Sequence, residues 1–345
     1  MDTGDSGWNR LADRNLGVAF LDACLRGASQ VLLQNNPITG LLILIGIAWA
    51  AIATGHPTVI IGVLIALIVG TATAILLRAD ATAVRTGLYG FNPLLTGAGV
   101  TVFMENRPLM WLFLVLGAAA TTVVMFALTA VLNTWDIPAL TFPFVLTTWF
   151  LLMGAYPFAR LTLDIADRPV LPGSTPVEPA SWNTDVVAAF PEGVSQVFLV
   201  ESWVAGLIIL VALAVNSWWS AGFAAVGAVL GTLLAIWFGA GASTVEAGLW
   251  GFNAVLTAVA LGTVFYKPTV ATAIYALFGV VFTVFVQAAL STVLAPLGIP
   301  TLTAPFVIAT WLFVLPKRNF APVAQHKRYT GGLLTALRPD AAKPE

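Results

Sequence analysis

The sequence predicts an all-α polytopic membrane protein built from two homologous halves of inverted topology that enclose a pore. Three observations carry this prediction. Of the 345 residues, 59% are apolar and 9% charged, with a mean hydropathy of +0.92. Soluble domains carry about a quarter charged residues, so these charges cannot cover a water-facing surface of this size. The second observation is a motif written twice, Gly87-Leu88-Tyr89-Gly90-Phe91-Asn92-Pro93-Leu94-Leu95-Thr96-Gly97 and Gly248-Leu249-Trp250-Gly251-Phe252-Asn253-Ala254-Val255-Leu256-Thr257-Ala258. The third is the placement of the basic residues at the two ends of the apolar region.

The elements follow in order. Residues 1–26 form a polar lead-in, interfacial or cytoplasmic, with Asp2, Asp5, Arg10, Asp13, Arg14, Asp22 and Arg26 but no cleavable apolar core of the kind a signal peptide needs. Apolar segments come next at Ile38–Ala53, Val59–Leu77, Leu88–Phe103, Leu109–Leu132 and Leu140–Phe158. A spanning helix needs about 20 apolar residues. Leu88–Phe103 is short and holds Pro93 and several glycines, which suits a broken or partly spanning helix inside the protein. Residues 161–182, with Pro169, Pro172, Pro176 and Pro179, read as a linker. The pattern then restarts at Val194–Val215, Trp218–Phe238, Leu249–Tyr266, Thr269–Leu294 and Leu302–Leu315, before a basic tail. The divisions are therefore 1–26, a first half at 27–160, the linker at 161–182, a second half at 183–316, and the tail at 317–345.

Three anchors fix the register of the repeat. Gly27-Ala28-Ser29-Gln30-Val31 returns as Gly193-Val194-Ser195-Gln196-Val197, and the Gly-Phe-Asn copies follow. Leu140-Thr141-Phe142-Pro143-Phe144-Val145 then returns as Leu302-Thr303-Ala304-Pro305-Phe306-Val307, with Trp149 matched by Trp311. The spacing shortens slightly along the chain, as a short loop deletion in the second half would cause. Arg10, Arg14 and Arg26 precede the first apolar segment, and Lys317, Arg318, Lys327, Arg328, Arg338 and Lys343 follow the last. Both termini therefore read as cytoplasmic. With the linker outside, each half crosses an odd number of times and the halves are inverted, which places a solute path at their interface.

The repeated polar and aromatic pairs are the candidate lining. Gln30 and Gln196 either cross-link helices or offer amide donors and acceptors at the two ends of a path. Phe91 with Leu95, and Phe252 with Leu256, share a helix face at a spacing of four. Ordinary packing gives the same spacing, whereas the two faces paired across a pseudo-twofold axis would form a slot for a planar molecule. Thr141 and Thr303 stand just before a Pro-Phe in each half, where proline frees carbonyl oxygens. There the threonine either repairs a kink or joins a set of acceptors. Asn92 and Asn253 carry amides that hydrocarbon does not solvate, and Gly90 and Gly251 permit close approach of chains.

Several function classes are excluded. A formal net charge of −1 gives no nucleic-acid footprint. The single cysteine, Cys24, makes neither an intrachain disulfide nor a thiolate cluster, and the histidines His56 and His326 lie outside the apolar segments. No catalytic dyad, nucleophile constellation or phosphate loop is present, so neither an enzyme nor a cofactor is expected. Glu201, the one clear carboxylate within an apolar segment, lies near its end, where it reads as interfacial. Asp22, Arg26, Arg85 and Glu246 read the same way.

These paired motifs resemble the urea transporter family, as a bacterial member of it, over Gly27 to Trp311. The resemblance implies two inverted halves, each of about five transmembrane helices plus a half-membrane helix. It also implies a narrow pore in each protomer of a homotrimer, in the cell inner (plasma) membrane, passing urea without ion coupling. By matched motifs, Gln30 and Gln196 with Val31 and Val197 would line the wider ends; Phe91, Leu95, Phe252 and Leu256 the slot; and Thr141 and Thr303 the central constriction. Two departures stand out. Leu33 occupies a wall position where many members carry Phe, and Glu201-Ser202-Trp203 replaces the pattern seen in Asn35-Asn36-Pro37.

Rival readings make different demands. An ion-coupled transporter would use Glu201, and an ammonium channel would want histidines in the pore. A water or glycerol channel would show paired Asn-Pro-Ala, where this chain has Asn92-Pro93-Leu94 and Asn253-Ala254-Val255. A structural or receptor-like membrane protein would pass no solute.

Overall fold

Side-chain caps start many of the helices. The Asn15 side chain accepts from the N–H groups of Gly17 and Val18, Asn36 from Ile38 and Thr39, and Ser202 from Ala205. Each fills donors that a helix start leaves open. The computed structural model describes residues 7–164, 171, 177–181 and 186–316. Most of the expected linker (Pro169, Pro172, Pro176), the basic tail 317–345, and Asp2 and Asp5 lie outside the described residues.

The described residues form α1 (Gly7–Arg14), α2 (Leu16–Gln30), α3 (Pro37–Ala53), α4 (Thr58–Leu76), α5 (Ala81–Arg85), α6 (Phe91–Phe103), α7 (Pro108–Leu132) and α8 (Phe142–Ala155). There follow α9 (Val186–Ser195), α10 (Trp203–Asn216), α11 (Trp218–Trp237), α12 (Ala242–Glu246), α13 (Phe252–Val259), α14 (Val270–Leu294) and α15 (Ala304–Val314). The sheet content of the described residues is limited to the isolated bridges Met104–Leu163 and Pro179–Gly241. The order from α2 to α8 returns from α9 to α15, element for element.

Among the described residues, four helices are long and apolar enough to cross a membrane, Thr58–Leu76, Pro108–Trp135, Trp218–Trp237 and Val270–Leu297. Shorter apolar helices, among them α3, α6, α8 and α15, pack beside them. On α11, exposed Trp218 and Trp219 mark one end and exposed Trp237 and Phe238 the other. At 1.5 Å per residue these belts stand roughly 28 Å apart, close to the hydrocarbon thickness of a bilayer.

Two expectations change on contact with the coordinates. Val194–Val215 reads as one apolar run, yet the chain bends by 72° between Phe198 and Trp203. Leu199 there adopts a left-handed φ of 58°, as Leu33 does at 60° in the first half. Leu88–Phe103 keeps only one of its two readings, the partly spanning helix: α6 runs unbroken from Phe91, because Pro93 sits in its first turn, where the missing N–H has no intrahelical partner to lose. Its 13 residues span about 20 Å, short of a bilayer core, and every residue from Phe91 to Thr101 is buried by protein.

The lead-in is helical, and α2 runs through residue 27 without a break. Asp22 is buried by protein at 1% exposure, with Trp8 Nε1 and Arg26 Nε each donating to its carboxylate at 2.7 Å. At the far end of α6, Glu105 N–H donates to Thr162 O at 3.0 Å and Asp164 N–H to Phe103 O at 2.9 Å, pinning the start of the linker. Hydrogen bonds from Thr162 and then Arg107 hold the Glu105 carboxyl below the usual carboxylate range.

The duplicated glycines are where the helices meet. Gly87 (φ +78°) and Gly248 (φ +69°) press against the backbone nitrogens of Gly27 and Gly193, where a Cβ would come within 2.3 and 2.5 Å. At Gly90 and Gly251 a Cβ would stand 2.7 Å from Leu67 and 2.8 Å from the Gly193 Cα. The close approach expected at these two glycines is therefore present, and it lets α2 and α9 lie directly on the Gly-Phe-Asn turns.

Candidate solute pathway

The two halves meet at the starts of α8 and α15. Leu140 and Leu302 adopt left-handed φ values of 52° and 51°, rare for branched residues, and each turns the chain into the threonine that caps the next helix. The threonine hydroxyls, Thr141 Oγ1 and Thr303 Oγ1, lie 2.7 Å apart, both residues being 2% exposed. Neither hydroxyl repairs a kink in its own helix; each has the other as partner. Farther along, Trp149 Nε1 donates to Pro300 O and Trp311 Nε1 to Pro138 O, both at 2.9 Å. Exchanged contacts of this kind mark a twofold relation between like parts.

Asn92 and Asn253 hold these turns in place. Asn92 Nδ2 donates to Leu140 O at 3.1 Å, and Asn92 Oδ1 accepts from Phe144 N–H at 3.1 Å. Asn253 repeats this with Leu302 O at 3.2 Å and Phe306 N–H at 3.1 Å. Each amide thus stabilises a strained residue and fills an open donor in the first turn of the next helix. Sequence reasoning singled these asparagines out as polar demands without seeing that they serve a backbone 48 and 49 residues downstream. The first half completes the site with the Met125 sulfur near Asn92 Nδ2, whereas in the second half Gln287 Oε1 accepts from Asn253 at 3.0 Å.

Phe91 and Phe252 open α6 and α13 at 5% and 6% exposure, and Leu95 and Leu256 one turn on are wholly enclosed. Gln30 ends α2 and Gln196 directly follows α9; their Nε2 groups donate to the carbonyls of Thr86 and Ala247, each at 2.8 Å. Val31, Val197, Phe91, Leu95, Phe252 and Leu256 belong to one continuous apolar cluster spanning both halves, with half-buried Leu33 packed against it. Leu199 packs there too. It is the twin of Leu33, with the same left-handed backbone, and the repeat register alone would have found it. The singled-out residues are uncharged, and Glu201 is exposed in the bend before α10. Among the described residues no group of His, Cys, Asp and Glu is placed to hold a metal ion.

The duplicated helical bundle, with paired hydroxyls and amides buried in an apolar surround and helices long enough to span a bilayer, defines a multi-pass membrane protein. A family model for the urea transporter matches residues 21–318. The chain is 34% identical over 313 residues to Urea transporter 1 of Capra hircus, covering 89% of this chain and 79% of that protein. It is 33% identical over 310 residues to Urea transporter 1 of Ovis aries and 31% over 323 residues to that of Rattus norvegicus, with the same coverage. The chain belongs to the urea transporter family. It is a multi-pass membrane protein and a transporter rather than an enzyme.

Proposed function

We propose that the protein passes urea down its gradient, channel-like and without ion coupling, through a narrow path at the meeting of its two halves. The observation that carries this reading is the hydrogen-bonded Thr141–Thr303 hydroxyl pair, its oxygens 2.7 Å apart and flanked by uncharged side chains. Urea is planar, neutral and rich in N–H donors. Leaving water costs a few kcal/mol for each polar group left unmatched, so its path needs acceptors beside flat apolar walls. Phe91, Leu95, Phe252 and Leu256 would supply the walls, with Leu33, Val31 and Val197 shaping the approaches. Thr141 and Thr303 would supply hydroxyl oxygens, and Gln30 and Gln196 amide oxygens near the ends. The Nε2 donors of Gln30 and Gln196 are held by backbone carbonyls, which supports this orientation of the amides.

In this reading, residues 27–160 and 183–316 are the two halves, inverted across the bilayer. The segment 161–182 links them, with the lead-in 1–26 and the tail 317–345 on the cytoplasmic side. The protein sits in the cell inner (plasma) membrane as a homotrimer. An ion-coupled mechanism has little to work with, since Glu201 lies exposed at a bend away from the apolar centre. Stopped-flow volume changes of proteoliposomes under a urea gradient test the proposal. Fast urea equilibration, equal with and without a proton or sodium gradient, is expected; flux that requires either gradient contradicts it.

A further inference from the structure

Besides the Met125 and Gln287 partners, the halves are unlike in a second buried place. Gln34, 3% exposed in the turn after α2, donates from Nε2 to Leu32 O at 3.0 Å and to Ser220 Oγ at 3.3 Å, and its amide oxygen accepts from Asn216 Nδ2. Asn36 Nδ2 donates to Asn216 Oδ1 at 3.4 Å, and the hydroxyls of Ser220 and Thr263 lie 3.2 Å apart. Gln34 and Asn36 come from the first half, the other three residues from the second. In the registers set by Gln30/Gln196 and Gly90/Gly251, the positions equivalent to Gln34, Ser220 and Thr263 are Val200, Val59 and Val102. Duplication copies packing into both halves; it does not by itself leave a connected polar network at one end and valines at the other.

The backbone shows the same asymmetry. Beyond α13 the chain widens into a π turn over Ala260–Val264, whereas α6 stays regular to Phe103. A π turn re-aims the side chains it carries, and Thr263 lies within this one.

The network reaches the end of the candidate path through Gln34 itself. Gln34 N–H donates to Ser29 O at 3.0 Å, and Ser29 Oγ reaches Gln34 O at 2.8 Å, closing the turn that carries Val31 and Leu33 directly after Gln30. The twin turn has the serine bond, Ser195 Oγ to Val200 O at 2.8 Å, but a valine where the anchoring amide would stand. We propose that Gln34 is a positioning residue: with Asn216, Ser220 and Thr263 it fastens the Gln30 end to the opposite half. That makes this end the rigid, size-selecting one and leaves the Gln196 end the adaptable one. The size-selecting role rests on the reading of Gln30, Val31 and Leu33 as lining.

Two measurements on the full chain in lipid test this and separate the two claims. Hydrogen exchange is followed at residues 31–36 and 197–202. In the wild type the first turn exchanges about tenfold more slowly, the protection expected from buried hydrogen bonds that its twin lacks. Gln34→Leu erases the difference, and Ser220→Thr, which keeps a hydroxyl, retains it. In proteoliposomes, Gln34→Leu raises the permeability ratio of N-methylurea to urea severalfold, whereas Val200→Leu leaves it unchanged. If Gln34→Leu does not fold, Ser220→Ala with Thr263→Val carries both measurements. Equal exchange of the two turns in the wild type, or an unchanged ratio in Gln34→Leu, overturns the proposal. Absence of urea flux in the wild type overturns the transport reading instead, and the exchange result still decides whether Gln34 positions the turn.

Discussion

The hydroxyls of Thr141 and Thr303, contributed by different halves of the chain, share a hydrogen bond of 2.7 Å at the point where α8 and α15 begin. The two residues occupy equivalent positions in the repeat, so their contact lies on the relation that exchanges the halves. Each sits one residue after a leucine in left-handed conformation. Strain of that kind persists where surrounding contacts over-determine the backbone, and here the asparagines of α6 and α13 supply those contacts.

Removing one hydroxyl strands the other in an apolar surround. Thr141→Val or Thr303→Val should slow urea entry into proteoliposomes roughly tenfold, equivalent to about 1.4 kcal/mol on the barrier. The double variant should lower the melting temperature by less than the sum of the singles, because it leaves no unpartnered hydroxyl. Unchanged flux in both singles would remove the threonines from the path.

Asn92→Leu deprives Leu140 O and Phe144 N–H of their buried partner, so it should cost about 2–5 kcal/mol. Asn253→Leu should cost at least as much, since it also strands Gln287 Oε1. Thermal unfolding in detergent reads both. A loss of flux with full stability would show instead that these amides touch the solute.

Gly87→Ala and Gly248→Ala should give little folded protein, because the added methyl would meet backbone nitrogen within 2.5 Å. Gly55→Ala is the matched control. It has a similar φ of +76° but open space around it, so only the backbone term of about 1 kcal/mol applies. Expression yield and melting temperature distinguish the two cases.

Trp149→Phe and Trp311→Phe each remove one of the exchanged bonds to Pro300 and Pro138, at a cost of about 1 kcal/mol apiece. Similar falls in melting temperature are expected from the two variants. A large fall from one and none from the other would contradict their equivalence.

Much of this was legible in the sequence, because duplication writes the same demand twice. The Gly-Phe-Asn copies located α6 and α13, and the Thr…Pro-Phe copies located the helix starts that meet. The partners were not legible. Asn92 serves a carbonyl and an N–H far along the chain, and only the folded arrangement brings α6 to α8. The bend at Leu199 was hidden as well, since Val194–Val215 reads as one mostly apolar run and the turn is set by a left-handed leucine rather than by glycine or proline. The partners of Asp22 were hidden too: Trp8 and Arg26, which donate to its carboxylate, belong to the stretch read as a plain polar lead-in.

A reversible crosslink at the centre tests the account most directly. The Thr141→Cys/Thr303→Cys variant should form a disulfide with copper phenanthroline, given how closely the two hydroxyls stand. In proteoliposomes the reduced variant should pass urea, the oxidised one should not, and dithiothreitol should restore the flux. A disulfide that forms in full while urea flux continues undiminished would contradict a path that runs past this pair.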